Sequence, residues 1–158
     1  MSDIPLISEA FAMSACTFFG HRDCPESIKP QLREMLVNLI ENHAVDTFYV
    51  GNQGGFDYMV WALLRELSQK YTHIRYTVVL AYLPTHRDEF DAYDFSDTML
   101  PEGIEAVPKR FAISWRNKWM IRHSDFVVTY IVRSWGGAAQ FAEAAEKQGK
   151  TILRLGDR

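Results

Sequence analysis

The chain has 158 residues, of which 47% are hydrophobic and 23% charged, a composition typical of one globular domain with a sizeable core. The net charge of −3 gives no basic excess of the kind that general nucleic-acid binding needs, although it leaves room for a local basic pocket. No apolar run approaches the roughly 18 residues of a membrane span, and the amino terminus lacks the basic start of a signal peptide. We therefore expect a cytoplasmic protein without a membrane partner and without general affinity for nucleic acids.

The two cysteines give no sign of a metal centre. Cys16 and Cys24 do not form a C-x-x-C pair, and no His/Cys cluster accompanies them. A disulfide framework and a metal site are both poorly supported by this spacing. We expect buried or idle thiols, and neither a metal nor a cofactor.

The first half of the chain alternates strand and helix patterns. Short apolar runs predict strands over residues 15–19, 45–50 and 74–82. A helical face beginning at Ser27 and a second over residues 59–67 lie between them. Ser27 is expected to cap the first helix, with Pro30 in its first turn, where proline is tolerated.

The second half continues this alternation after an irregular segment. Residues 84–109 are acidic and aromatic without clear periodicity, which favours a lid or binding loop, with a short strand at Ile104–Val107 as an option. A solvated surface is the expected role of its acidic residues, with a metal site as the alternative. The later predicted elements are a helix over 111–123, a strand over 126–132, a helix over 138–148 and a strand over 151–155.

These elements predict one fold class. Strands that are nearly continuous apolar runs have both faces covered, as in sheets of the α/β class. We expect a single-domain, Rossmann-like doubly wound fold over residues 1–158, with its core at about 15–156. Its sheet would be mainly parallel, with helices on both faces.

Three glycine-containing turns follow three of the predicted strands. They are Gly20-His21-Arg22, Gly51-Asn52-Gln53-Gly54-Gly55-Phe56-Asp57, and Ser134-Trp135-Gly136-Gly137. In parallel sheets these turns share the edge where ligands bind, and two of them open helices whose N–H groups attract phosphate or carboxylate. Arg22 and Arg116 can add bidentate contacts to such a group. The sequence therefore predicts a nucleotide-type small-molecule ligand at this edge.

The sequence leaves two alternative roles open for several residues near the turns. Asp57 either stabilises the helix dipole or binds a ribose hydroxyl, and His21 is either a loop residue or a ligand contact. Three tryptophans belong either to the core or to base-stacking surfaces. They are Trp115, Trp119 and Trp135.

From about Cys16 to Leu155 the chain resembles the SLOG superfamily of Rossmann-like domains. The resemblance rests on the motifs in the three glycine turns and on the helix from Arg116 to Met120. The superfamily includes the LOG phosphoribohydrolases and the DNA-processing protein DprA. The closest likeness is to its small stand-alone bacterial members. The resemblance implies a parallel sheet, a nucleotide or nucleotide-derived ligand at the glycine turns, and a dimer. Several members are proposed to sense such ligands rather than to turn them over.

The LOG branch has an R-K-x-x-M helix and a P-G-G-x-G-T-x-x-E turn, whose arginine and glutamate act in cleaving a base from a nucleoside monophosphate. On this resemblance the catalytic pair falls on Arg116 and Glu143. Ligand contacts include Asn117, Gly136 and Gly137. The chain departs from the pattern at four positions, namely Asn117 for lysine, Trp135 for proline, Ala139 for glycine and Gln140 for threonine.

Three hypotheses follow from these patterns. The first is a nucleotide-binding or sensing domain, and the second is a LOG-like phosphoribohydrolase in which Glu143 stabilises an oxocarbenium-like ribose or activates water. The third is a DprA-like DNA partner, which the missing basic excess argues against.

Overall fold

The computed structural model of the chain describes residues 14–83 and 97–156. Within them, six strands are β1 (Ser14–Gly20), β2 (Val45–Val50), β3 (Arg75–Val79), β4 (Thr98–Met99), β5 (Phe126–Tyr130) and β6 (Thr151–Arg154). The α-helices are α1 (Lys29–Asn42), α2 (Gly55–Lys70), α3 (Lys109–Arg122) and α4 (Gly137–Lys147). Among the described residues, no helix is long and apolar enough to cross a membrane.

The strands form one sheet in the order β4-β3-β2-β1-β5-β6, and every neighbouring pair is parallel. The strands β1 to β4 follow one another towards one edge of the sheet, and β5 then pairs with the other side of β1. This reversal between β1 and β5 is the point of a doubly wound sheet where ligands bind. The predicted Rossmann-like α/β fold is confirmed.

Successive side chains of each strand pack into different layers, as the period of two requires. Phe18 and Val128 belong to the cluster that α1 and α2 cover, whereas Phe19 and Val127 pack with residues of α3 and α4. The predicted helices on both faces are therefore confirmed. Cys16 is a free thiol inside the first cluster, and burial raises its pKa.

The strands β3 and β5 are shorter than the predicted strands over 74–82 and 126–132. Tyr130, the last residue of β5, pairs with Gly20 at the end of β1, so the chain beyond it has no strand partner there. The Val132 N–H instead donates a hydrogen bond to the His21 ring at 3.0 Å. The apolar run thus continues past the end of the strand into the connecting loop.

One local prediction in the second half of the chain was wrong. The optional strand at Ile104–Val107 is a 3-10 helix over Ile104–Ala106, because Gly103 turns the chain with a φ of 96° and directs Ile104 into a small core. An unpredicted two-residue strand, β4, precedes it. Residues 84–96 of the predicted lid or loop lie outside the described residues.

Ser27 does not cap α1. A 3-10 turn over Glu26–Ile28 precedes the helix, and no side chain caps the α1 start at Ile28. Pro30 does fall in the first turn, as predicted.

Candidate functional site

A cavity of about 300 Å³ lies at the carboxyl ends of β1 and β5. Its polar and glycine lining comprises Gly20, His21, Arg22, Gln53, Asp57, Arg116, Asn117, Arg133, Gly136 and Gly137, and its apolar lining comprises Phe18, Phe19, Ile113, Met120 and Ala138. Parts of all three glycine turns and one face of α3 thus meet in one place. Its charged lining, as far as the described residues go, consists of three arginines and one carboxylate.

Arg116 is the most deeply buried charged side chain in the described cavity wall, with only 1% exposed. Its Nε donates to Asn117 Oδ1 at 2.8 Å, and one Nη donates to Asn52 Oδ1 at 3.3 Å and to the Val79 carbonyl. Three acceptors from three segments therefore fix the guanidinium, which is how a planar fork is held in one orientation.

Asp57 faces the same cavity from the first turn of α2 and is 8% exposed. One carboxylate oxygen accepts the Gln53 N–H at 2.8 Å. Burial raises the Asp57 pKa to about 6, against the opposing effects of that hydrogen bond and of Arg116 and Arg22. The Asp57 carboxyl therefore changes between its protonated and ionised forms around pH 6.

The glycines of the turn after β2 mainly serve packing. Gly54 has a φ of 104°, and a Cβ there would lie 2.7 Å from the Arg22 Cα. A Cβ on Gly55 would lie 2.6 Å from the Arg22 carbonyl oxygen, which accepts the Gly55 N–H at 2.8 Å. Gly54 and Gly55 are thus needed to join this turn to the loop after β1, and neither lines the cavity.

The turn before α4 is open instead. Gly136 has a φ of 103°, and a Cβ built on Gly136 or Gly137 would meet no atom of the described residues within 4 Å. Both residues line the cavity at the start of an 11-residue helix with no acidic side chain in its first turn. Backbone N–H groups at such a helix start attract an anion.

His21 joins the loops that follow β1 and β5. Its Nε2 accepts the Val132 N–H at 3.0 Å, so the proton of the neutral ring sits on Nδ1. Burial, and next Arg133, lower the His21 pKa. His21 therefore contributes to the cavity as a neutral wall.

Arg133 lines the cavity and also contacts Asp23 and Trp135. Its guanidinium contacts Asp23 at 3.3 Å and lies over the Trp135 ring, 4.7 Å from the ring centroid. The Arg133 Nε is buried without a hydrogen-bond partner among the described residues. A buried donor without an acceptor is costly, so this arginine retains unused binding capacity.

Other predicted site residues lie outside the lining. Asn52 orients Arg116, Gly51 is buried beneath Asp57 and Arg116, and Ser134 and Trp135 are exposed. The Glu143 side chain is 69% exposed and pairs with Lys147 at 3.6 Å. The structure does not bring Glu143 to the cavity that Arg116 lines.

Sequence reasoning missed Arg133 and Ile113. A basic residue after the strand and before a Gly-Gly turn was the available signal for Arg133. Ile113 shares one face of α3 with Arg116, Asn117 and Met120, at helical spacing from them. Among the described residues, no three His, Cys, Asp or Glu side chains are grouped closely enough to hold a metal ion.

Two solved structures are similar in fold to this chain. DNA processing protein A (DprA) from Streptococcus pneumoniae matches with a TM-score of 0.68 at 12% identity, over 92% of this chain and 51% of that chain. DprA from Helicobacter pylori, in a structure described for its single-stranded DNA binding mode, matches with a TM-score of 0.61 at 16% identity, over 96% and 69%. Over the matched part, this chain has the Rossmann-like fold of DprA.

The resemblance to the SLOG superfamily is thus confirmed at the level of the fold. The chain spans about half the length of the S. pneumoniae protein. No protein-family model matches the sequence, and neither does any curated protein.

The exclusion of general nucleic-acid binding was wrong. It rested on the net charge of −3, whereas one protein of the same fold is described as binding single-stranded DNA. The net charge also conceals a cavity whose described lining has three arginines and a single carboxylate. Binding depends on the local field of a cleft, so total charge is a poor criterion.

Proposed function

We propose that the cavity binds the phosphate of a nucleotide. The observation that supports this most strongly is the open Gly136–Gly137 turn, which shares the cavity with Arg22, Arg116 and Arg133. Helix-start N–H groups supply hydrogen bonds to phosphate oxygens, and guanidinium groups add charge-assisted ones. The volume of about 300 Å³ is at the small end for ligand sites, which suits one nucleotide unit.

Binding without turnover is the better-supported role. Hydrolysis of an N-glycosidic bond uses a carboxylate next to the ribose. Glu143, which the LOG resemblance assigns to that step, is exposed and paired with Lys147. Asp57 is the carboxylate among the described lining residues. Its hydrogen bond from the Gln53 N–H fixes it in the cavity wall. A sensor or binding domain therefore fits the site better than a phosphoribohydrolase.

Single-stranded nucleic acid is the second candidate ligand for the same cavity. The similarity to the H. pylori DprA structure favours it. A backbone phosphodiester offers the same oxygens to the cradle as a nucleotide phosphate does. Both candidate ligands thus contain a phosphate attached to a nucleoside. They differ in whether that nucleotide is free or is part of a longer nucleic-acid strand.

Calorimetric titration tests this proposal with dTMP, thymidine and the oligonucleotide (dT)10. We expect dTMP or (dT)10 to bind and raise the melting temperature, with thymidine much weaker, because a ligand specific for the folded state stabilises it. If (dT)10 binds and dTMP does not, the continuous strand is the ligand. If neither phosphate-bearing probe binds, or thymidine binds as well as dTMP, the proposal fails.

A matched pair of variants separates binding by the arginines of the cavity from nonspecific attraction to the positive charge of the surface. Arg22→Gln removes a guanidinium from the cavity, whereas Arg75→Gln removes one from the amino end of β3, at the opposite edge of the sheet. Both residues are exposed, so both changes should leave the fold intact. We expect only Arg22→Gln to weaken binding, and equal losses in both would indicate nonspecific attraction.

A further inference from the structure

Trp135 is an exposed indole at the rim of the cavity. It is 67% exposed, it immediately precedes the cavity residue Gly136, and it is not among the described residues that line the cavity. An isolated exposed aromatic residue needs no special explanation. Trp135 differs from such a residue because it adjoins the Gly136–Gly137 turn and contacts Arg133, and all three of these residues line the cavity.

Arg133 holds the indole from one side. The guanidinium lies 4.7 Å from the Trp135 ring centroid and is itself tied to Asp23 at 3.3 Å. Cation–π contact of this kind fixes a ring without covering both of its faces. The high exposure of Trp135 means that much of its surface stays open to solvent.

We propose that Trp135 stacks on a base of single-stranded nucleic acid while a backbone phosphate of the same strand occupies the cavity. This inference rests on the proposed phosphate site and adds a base subsite outside it. Because Trp135 lies at the rim rather than in the lining, it suits the base of a neighbouring nucleotide in a continuing strand. A free mononucleotide held in the cavity would leave that ring unused.

The chemistry of the subsite predicts little sequence preference. An indole offers a π-face to every base, and its N–H alone cannot read a pattern of donors and acceptors. Arg133 on the other side contributes charge that favours the strand regardless of sequence. Trp135 would therefore strengthen binding to single strands without selecting a sequence.

The test compares (dT)10 with an abasic decamer that carries the same phosphates and no bases, by fluorescence anisotropy. Trp135→Ala should weaken (dT)10 binding about 5- to 100-fold, the range expected for loss of one stacked base. The same variant should bind the abasic decamer as the wild type does. Trp135→Phe should restore most of the affinity for (dT)10.

Phe111→Ala is the matched control. Phe111 is also exposed, at 51%, and the Arg110 guanidinium also lies 4.7 Å from its ring centroid, but neither residue lines the cavity. Phe111→Ala should leave (dT)10 binding unchanged. Equal affinity of Trp135→Ala and wild type for (dT)10, or equal losses on both decamers, overturns the stacking role. If the wild type binds dTMP but not (dT)10, the base subsite is also overturned while the phosphate site survives.

Discussion

Asp57 and Arg116 meet over Gly51. A Cβ on Gly51 would lie 2.9 Å from one Asp57 carboxylate oxygen and 3.3 Å from the Arg116 guanidinium carbon. The two side chains come from α2 and α3, which cover opposite faces of the sheet. The glycine at the end of β2 therefore lets oppositely charged groups from both layers approach one another at the cavity wall.

Gly51→Ala should destabilise the protein. The added methyl group must displace the Asp57 carboxylate from the Gln53 N–H or shift Arg116 from its three acceptors. Overpacking of this kind costs about 1–3 kcal/mol. Urea denaturation should show a lower midpoint with an unchanged slope. An unaltered midpoint would mean that the pair moves freely and is not fixed by its surroundings.

Gly137→Ala should separate binding from stability. A Cβ there meets no atom within 4 Å in the part of the chain that the structure describes, and the residue does not have a left-handed φ, so alanine is compatible with the fold. Stability should stay level or rise by up to about 1 kcal/mol, because alanine is the better helix residue. The methyl group would enter the open cradle, so affinity for dTMP or (dT)10 should fall in calorimetric titration. Full affinity would show that the phosphate does not approach this turn.

The sequence predicted the edge of the sheet better than the details of the cavity. Gly136 was predicted at the site because a strand-to-helix glycine turn leaves a clear pattern, whereas Arg116 was predicted from its charge and from its likeness to the R-K-x-x-M helix of the LOG branch. Gly54 and Gly55 were assigned to ligand contact, yet they pack against Arg22, a contact between loops that no local pattern records. The bonds that fix Arg116 likewise depend on which strand ends meet in the sheet.

The position of Glu143 follows from helix geometry. Phe141 and Ala145 are the buried residues of α4 and lie on one face, four residues apart. Glu143 is two residues from each, a rotation of about 200°, so it points away from the sheet. Helical periodicity in the sequence was sufficient to show this, whereas the family motif alone was not.

Glu143→Gln should leave ligand binding unchanged. The side chain is exposed, and its contact is the ion pair with Lys147, which contributes little on a surface. The measurement is calorimetric titration with dTMP, together with chromatography for free adenine after incubation with AMP. Adenine release by the wild type that disappears in Glu143→Gln would restore the catalytic role implied by the LOG resemblance.

Asp57→Asn should remove a pH dependence of stability. The folded-state pKa of Asp57, about 6, exceeds the ordinary aspartate pKa of 3.8, so the folded protein binds more protons than the unfolded chain between these pH values. Stability therefore falls as pH rises through this window, by about 3 kcal/mol for complete ionisation. Asparagine cannot ionise, and its side-chain oxygen can still accept the Gln53 N–H.

Urea denaturation of both proteins at pH 4, 5, 6 and 7 gives this contribution as a difference. His21 has a lowered pKa, so its own effect has the opposite sign, with stability rising with pH below the ordinary histidine pKa. Because His21 is present in both proteins, its contribution largely cancels in the difference. We expect Asp57→Asn to gain stability over the wild type steadily from pH 4 to pH 7. A constant difference would place the Asp57 proton outside this range and would remove the argument that burial dominates its environment.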